Sequence, residues 1–489
     1  MRRVSTLLAA ALLAVPAYAQ TDDAAVQRRA MLDRAKAAEL PGNWKPAPVD
    51  QFSHAAATFA QRVCSAVFIG GMTPHFARDT QGEDNPLVRP IERVQLSDPV
   101  VDRQRLEVRV TLPGGNVRTA RQVGSQGCVI LPENGAKLGF TPTLVVPQLS
   151  VPAATDEVAV VPASVDRTKL EGAIAAAFDP DDAFTQAVVV TWKGKLIGER
   201  YALGAGPRTP LEGWSMGKSV VATLLGTLMQ RGVYTLDQPA PIPEWQKLGD
   251  PRAAIRIRDI LQMSSGLRIR APQDPEWIDD GQMADHWYYY GGPNAFAYAA
   301  SRQPEWKPGM IGRYRNTDPV LGGYLVKLGA QKLGLDYHSY PQRALFDPLG
   351  IRTATLETDA TGNFLTQGAE LLSARDWARI GNLYLADGMW NGKRLLPEGY
   401  TNFVSTPAPA WVADGRPIYG AFFWLAARSR FTVPADAYYM AGAGGQYTII
   451  IPSRQLVITR IGRFSGSRIA DAALNRAIGR ILQAVPNER

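Results

Sequence analysis

The 489-residue chain is poor in the residues that most often announce a site. It holds two cysteines, Cys64 and Cys128, and four histidines, His54, His75, His286 and His338. The histidines lack metal-ligand spacing and form no Ser-His-Asp arrangement by pattern, so neither a metal nor a cofactor is expected. The formal charge is +8, yet no Lys/Arg block stands out of the mixed charges, which argues against nucleic acid as a partner. Internal repeats are absent. No internal apolar run reaches bilayer length. Val220 to Met229 is too brief and reads as a buried core helix, so stable membrane insertion is not expected. With 46% hydrophobic and 20% charged residues, the composition is that of an ordinary globular chain, long enough for one large domain and a smaller one.

What is present begins with a leader. Arg2 and Arg3 precede the apolar run Leu7 to Val15 and the small-x-small site Ala17-Tyr18-Ala19, the pattern of a secretory signal over residues 1–19. The mature chain is therefore expected to be exported, to a periplasmic or extracellular place. Such a compartment permits a disulfide between Cys64 and Cys128; two buried free thiols are the alternative.

Residues 20–140 read as an N-terminal α+β region. It has a polar, Ala-rich helical stretch from Asp22, a helix pattern through Ala55 to Phe68, and two alternating strands flanking Pro113-Gly114-Gly115. Residues 141–165, with Pro142, Pro147, Pro152 and Pro162, read as a linker. Residues 166–489 read as the main domain. A helix from Leu170 leads to a hairpin over Ala187 to Tyr201. The far end mirrors it with a hairpin over Gln446 to Ile461 and an amphipathic helix from Arg468. One antiparallel sheet flanked by terminal helices follows, with the mostly helical middle on its other face, an α+β fold.

Chemistry concentrates at Ser215-Met216-Gly217-Lys218. A serine needs a base within hydrogen-bond reach, and on a helix positions i and i+3 share a face, so Lys218 can serve Ser215. A helix N-terminus there also favours developing negative charge. Tyr314-Arg315-Asn316 lies on a loop leading into a helix. A tyrosine beside a Ser/Lys pair can act as base or proton shuttle, and an asparagine amide can orient substrate or hold the lysine. Tyr400-Thr401-Asn402 repeats the pattern, but its surroundings read as an ordinary surface helix start. Gly442-Ala443-Gly444-Gly445-Gln446 precedes the last hairpin, where glycines admit close backbone or substrate approach. An amide there, with that of Ser215, would form an oxyanion hole; a plain glycine turn is the alternative. Trp214 and Trp287 to Tyr290 are either pocket lining or core.

Ser-x-x-Lys, Tyr-x-Asn and a glycine motif opening the last hairpin, in that order, resemble the class C β-lactamase-related serine hydrolases. The likeness extends to Leu261 through Leu267 and Leu395 through Gly399, and is nearest the 6-aminohexanoate-dimer hydrolase and family VIII esterase branch. It implies a serine β-lactamase/DD-peptidase-like fold over about 165–489. It also implies catalytic roles for Ser215, Lys218 and Tyr314, and substrate or oxyanion roles for Asn316, Gly444, Gly445 and Gln446. The family's Lys or His at the third motif is replaced by Ala443, which removes a charge-assisted contact worth about 1.5–3 kcal/mol. That argues against a proficient β-lactamase or D-alanyl-D-alanine peptidase, and leaves Arg313 and Arg315 as the cations near Tyr314. The expectation is an exported serine hydrolase acting on a small ester, amide or peptide; the alternatives are a non-catalytic or weakly active binder of peptidoglycan fragments, or a D-alanyl-D-alanine peptidase or β-lactamase.

Overall fold

Alternation along the β-branched strands decides the architecture. In β5 (Thr185–Trp192) all eight residues are buried. Val188 and Val190 join one apolar cluster, while Ala187 and Val189 join another on the opposite face, as the two-residue period of a strand requires. Lys193 and Gly194 both take positive φ, the turn geometry that returns the chain into β6 (Lys195–Tyr201) with matched twist. The other strands of this sheet are β7 (Trp424–Leu425), β8 (Tyr438–Gly442), β9 (Gln446–Ile451) and β10 (Leu456–Gly462). They complete a six-stranded sheet of order β7-β8-β9-β10-β5-β6, in which every neighbouring pair is antiparallel. The computed structural model describes residues 22–42, 50–79, 96–133, 137–277, 285, 288, 294–427, 429–463 and 467–487; the expected leader lies outside them.

Helices from both ends of the main domain cover one face of this sheet, Arg167–Ala176 and Ser467–Ala484. The other face packs on Ala374–Leu385 and on the helix Gly217–Gln230, whose residues from Gly217 to Leu228 are all buried. That enclosure explains the apolar run in the second helix. Among the described residues no helix is long and apolar enough to cross a membrane.

The N-terminal region is not one unit. Helix α2 (Gln51–Cys64) packs Phe59, Ala60 and Val63 on a four-stranded antiparallel sheet, β1-β2-β3-β4, formed by Val100–Asp102, Glu107–Thr111, Val117–Gln122 and Cys128–Ile130. Cys64 and Cys128 are disulfide-bonded across this core. The first helix, α1 (Asp22–Ala37), sits elsewhere, on the main domain. Trp306 Nε1 donates to the Ala35 carbonyl at 2.9 Å, Arg34 pairs with Asp414 at 2.5 Å, and the Leu40 amide donates to Glu305 at 2.8 Å. A single small apolar cluster of Ala35, Trp306 and Ile311 seats it.

The proline-rich stretch 141–165 lies along the main domain as an irregular strap. Its amides donate to Asp347 from Gln148 (2.7 Å), to Gly350 from Ala154 (2.9 Å) and to Leu196 from Val160 (2.9 Å). Backbone groups that prolines leave free for no sheet are thus satisfied by the body they cross.

Candidate active site

Ser215 lies in a 3-10 turn, Trp214–Met216, that runs straight into the helix starting at Gly217. This puts the serine at the positive end of a 14-residue buried helix. One turn on, Lys218 is 1% exposed, and its Nζ donates to Ser215 Oγ at 2.7 Å and to the Gln367 carbonyl at 2.8 Å. Burial lowers the Lys218 ammonium to about 7, outweighing the nearby carboxylates of Asp285 and Glu370 that pull the other way. An amine able to lose its proton near neutral pH is thereby held against the serine hydroxyl.

Gly213 and Gly217 bracket the serine in Gly-x-Ser-x-Gly spacing, which corrects the motif reading that finds no such elbow in the chain. The structural reason for the second glycine is Glu370. Its Oε1 accepts from the Gly217 amide at 3.0 Å, and an added Cβ at Gly217 would stand 2.2 Å from Glu370 Oε2 and from the Thr366 carbonyl. Burial pushes the Glu370 carboxyl well above the usual carboxylate range.

Tyr314 is half-buried, and its hydroxyl faces the Ser215 side chain, which acts to lower its pKa. Its ring lies 5.0 Å from Lys218 Nζ and packs edge-on against Tyr419 and tilted on Trp424. Burial raises its hydroxyl above the ordinary tyrosine range, with Asp285 and Glu370 adding to the rise. The expectation that Arg313 or Arg315 would offset the missing cation is corrected here. Arg313 is paired with Glu276 and Asp414, and Arg315 with Asp274 and Glu305, so carboxylates consume both guanidinium charges. Tyr314 is held as a proton-bearing phenol, not a phenolate.

Asn316 turns to Asp285. Its backbone amide donates to Asp285 Oδ1 at 2.6 Å and its Nδ2 to Oδ2 at 2.8 Å. Asp285 is buried and its carboxyl raised by that burial. It and Glu370 are the two acids that act on both Lys218 and Tyr314. Neither stands out in sequence, since an isolated acid carries no periodicity.

The glycine motif opens β9 as a turn over 443–445. The residue meeting the serine segment is Gly442, at the end of β8, where an added Cβ would lie 2.0 Å from the Gly213 carbonyl. Gly444 and Gly445 turn their carbonyls to the buried Arg460 guanidinium, at 3.2 and 2.8 Å. The Gln446 side chain is committed to Gly462, donating at 2.8 Å and accepting at 2.7 Å. Ala443 belongs to the turn, past the strand's last residue. Arg460 is thus a part of this corner that motif reading missed.

Tyr400 does start a helix, Tyr400–Ser405, on which Asn402 is exposed, but its own side chain is 2% exposed and its hydroxyl donates to the Ala222 carbonyl at 2.6 Å. Trp214 and Tyr288 are packed inside, the latter hydrogen-bonded to Thr317 Oγ1 at 2.8 Å. Trp287, Tyr289 and Tyr290, like His286, lie outside the described residues. Of the other histidines, His54 sits in α2, His75 beside Asp79, and His338 against the Gly362 carbonyl.

A serine with a buried lysine on its hydroxyl and a tyrosine facing it, between a helix start and the edge of an antiparallel sheet, defines a serine β-lactamase/DD-peptidase-like protein. The beta-lactamase family model matches residues 174–478, and the chain belongs to that family. It is 24% identical over 252 residues to the 6-aminohexanoate-dimer hydrolase of Paenarthrobacter ureafaciens, a stretch covering 46% of this chain and 58% of the relative. Among solved structures, a Bacillus anthracis protein provisionally named 6-aminohexanoate-dimer hydrolase aligns with a TM-score of 0.53 at 18% identity, over 70% of this chain and 90% of that one. A family VIII carboxylesterase aligns with a TM-score of 0.50 at 13% identity, over 66% and 99% of the two chains. At such identities the structural likeness establishes the fold. Family membership makes the chain a relative of serine hydrolases that cleave small amides and esters.

Proposed function

We propose that the protein is an exported serine hydrolase that cleaves a small ester or amide through an acyl-Ser215 intermediate. One observation carries the reading: Lys218 Nζ stands 2.7 Å from Ser215 Oγ, with the Tyr314 ring 5.0 Å from the same Nζ. Neutral Lys218 takes the Ser215 proton as Oγ bonds to the substrate carbonyl carbon. Tyr314 hands its proton to the departing oxygen or nitrogen as the C–O or C–N bond breaks, and regains one from Lys218. Water then repeats the sequence in reverse on the acyl-enzyme. The oxyanion would face the start of the Gly217 helix and the Gly442 corner.

Esters are the easier substrates. A phenol held above its ordinary range is a weak acid, and alkoxide-type leaving groups need less protonation than amines. The bonded Cys64–Cys128 pair supports the exported reading, since disulfides persist in oxidising compartments.

The test is intact mass after exposure to a fluorophosphonate. One adduct, formed as Oγ bonds phosphorus and fluoride leaves, is expected on the wild type and not on Ser215→Ala. Ester turnover in that variant should fall by about 10⁴- to 10⁶-fold. A folded wild type that takes no adduct would instead favour a binding protein for peptidoglycan fragments.

A further inference from the structure

The α2 unit lies outside the matched family region, yet one of its side chains reaches the serine's own segment. Arg62 is 1% exposed. Its guanidinium pairs with Glu212, donates to the Gly368 carbonyl at 3.2 Å, and stacks 4.3 Å over the Trp214 ring. Glu212 and Trp214 lead directly into Ser215. Gly368 follows Gln367, whose carbonyl receives Lys218 Nζ. A single planar cation therefore ties the chain entering the serine to the chain holding the lysine.

Trp214 has φ of +51°, in the left-handed region that a bulky side chain occupies only when its surroundings hold it there. Arg62 covers that ring. Arg62 is itself pinned, because Cys64, two residues on, is bonded to Cys128. The seam around it closes on a buried acid of the main domain, Glu357, which accepts from Ser65 Oγ at 2.6 Å and from the Cys128 amide at 2.9 Å. Glu357's neighbour Leu356 is paired directly with Glu370, across the two short antiparallel strands Thr355–Leu356 and Glu370–Leu372.

We infer that Arg62 is a positioning residue for the hydrolase. The disulfide-bonded N-terminal unit holds the Trp214 peptide in its left-handed turn and so fixes Ser215 against Lys218. This rests on Ser215 being the nucleophile. The bland alternative is a buried ion pair that merely glues two parts together. Arg62→Lys separates them, because a lysine keeps the charge opposite Glu212 but has no planar face for Trp214 and no second prong for Gly368. The paired variant Arg62→Met with Glu212→Gln removes the ion pair without stranding a buried charge.

Full-length variants are compared by kcat and KM on a p-nitrophenyl ester, by the rate of fluorophosphonate labelling at Ser215, and by thermal melting. Arg62→Lys should melt as a folded protein, with kcat and labelling rate down by about 10- to 100-fold and KM within about twofold. The paired variant should show the same split. Wild-type kcat in either folded variant overturns the inference, as does failure of both to fold, which would make Arg62 a folding contact. A wild type that takes no label overturns the nucleophile reading, and this one with it; a labelled wild type with equally labelled variants overturns this one alone.

Discussion

Tyr314-Arg315-Asn316 and Tyr400-Thr401-Asn402 spell the same motif and meet different fates on the same helix. Tyr314 faces the serine at the start of Gly217–Gln230, while Tyr400 approaches that helix further along and donates to Ala222. Tyr314 is half-buried beside a lysine; Tyr400 is sealed among apolar groups. Asn316 is gripped by Asp285, whereas Asn402 is exposed. A tyrosine hydroxyl works as acid or brace according to what it faces, a reacting oxygen or a helix carbonyl. The three-letter pattern carries neither answer.

The contrast breaks most visibly at Tyr314→Phe, which should lower ester turnover by about 10²- to 10⁴-fold with the melting temperature little changed. An intact rate would remove Tyr314 from the chemistry. The pH profile sharpens the division of labour. With the Lys218 ammonium lowered to about 7, protonation below that pH removes the base, so kcat/KM should fall by about tenfold per pH unit there and level off above. Because the titrating group is the lysine, residual turnover in Tyr314→Phe should keep the same acid limb; a limb that moves would assign it to the tyrosine. Tyr400→Phe should do the opposite of Tyr314→Phe, costing about 1 kcal/mol of stability in denaturant titrations with turnover unchanged. Asn402→Ala should shift stability by less than about 0.5 kcal/mol, and a larger loss would show that the second motif is more than local.

What was legible in the sequence is what is local. Ser215 and Lys218 share a helix face, the two hairpins alternate, and Lys193-Gly194 is a turn by composition. The unread parts are single charged residues whose meaning comes from burial against distant chain. Arg62, Asp285, Glu370 and Arg460 look like surface charges in a string of letters, yet each is buried in the fold. Helix α1 adjoins the following α+β region in sequence, whereas its partners run from Pro275 to Gly415. At the Tyr400 motif the Pro-Glu-Gly lead-in reads correctly as a surface helix start, but nothing in those letters tells that the tyrosine ring is buried against the helix Gly217–Gln230. The Gly-x-Ser-x-Gly frame is present at 213–217, against the reading that the chain lacks one, and it went unseen because Ser-x-x-Lys already accounted for the serine.

The seat of α1 has a consequence for how the protein is made. Gln27 donates to the Gly415 carbonyl across 388 positions, and Arg34 reaches Asp414 across 380. At translation speeds of 5–20 residues per second, the helix leaves the ribosome roughly 20–80 s before its docking site exists. Arg62 waits similarly for Gly368, 306 positions on. The first segments synthesised are among the last able to settle, so the nascent chain travels for much of its synthesis with its leading pieces undocked.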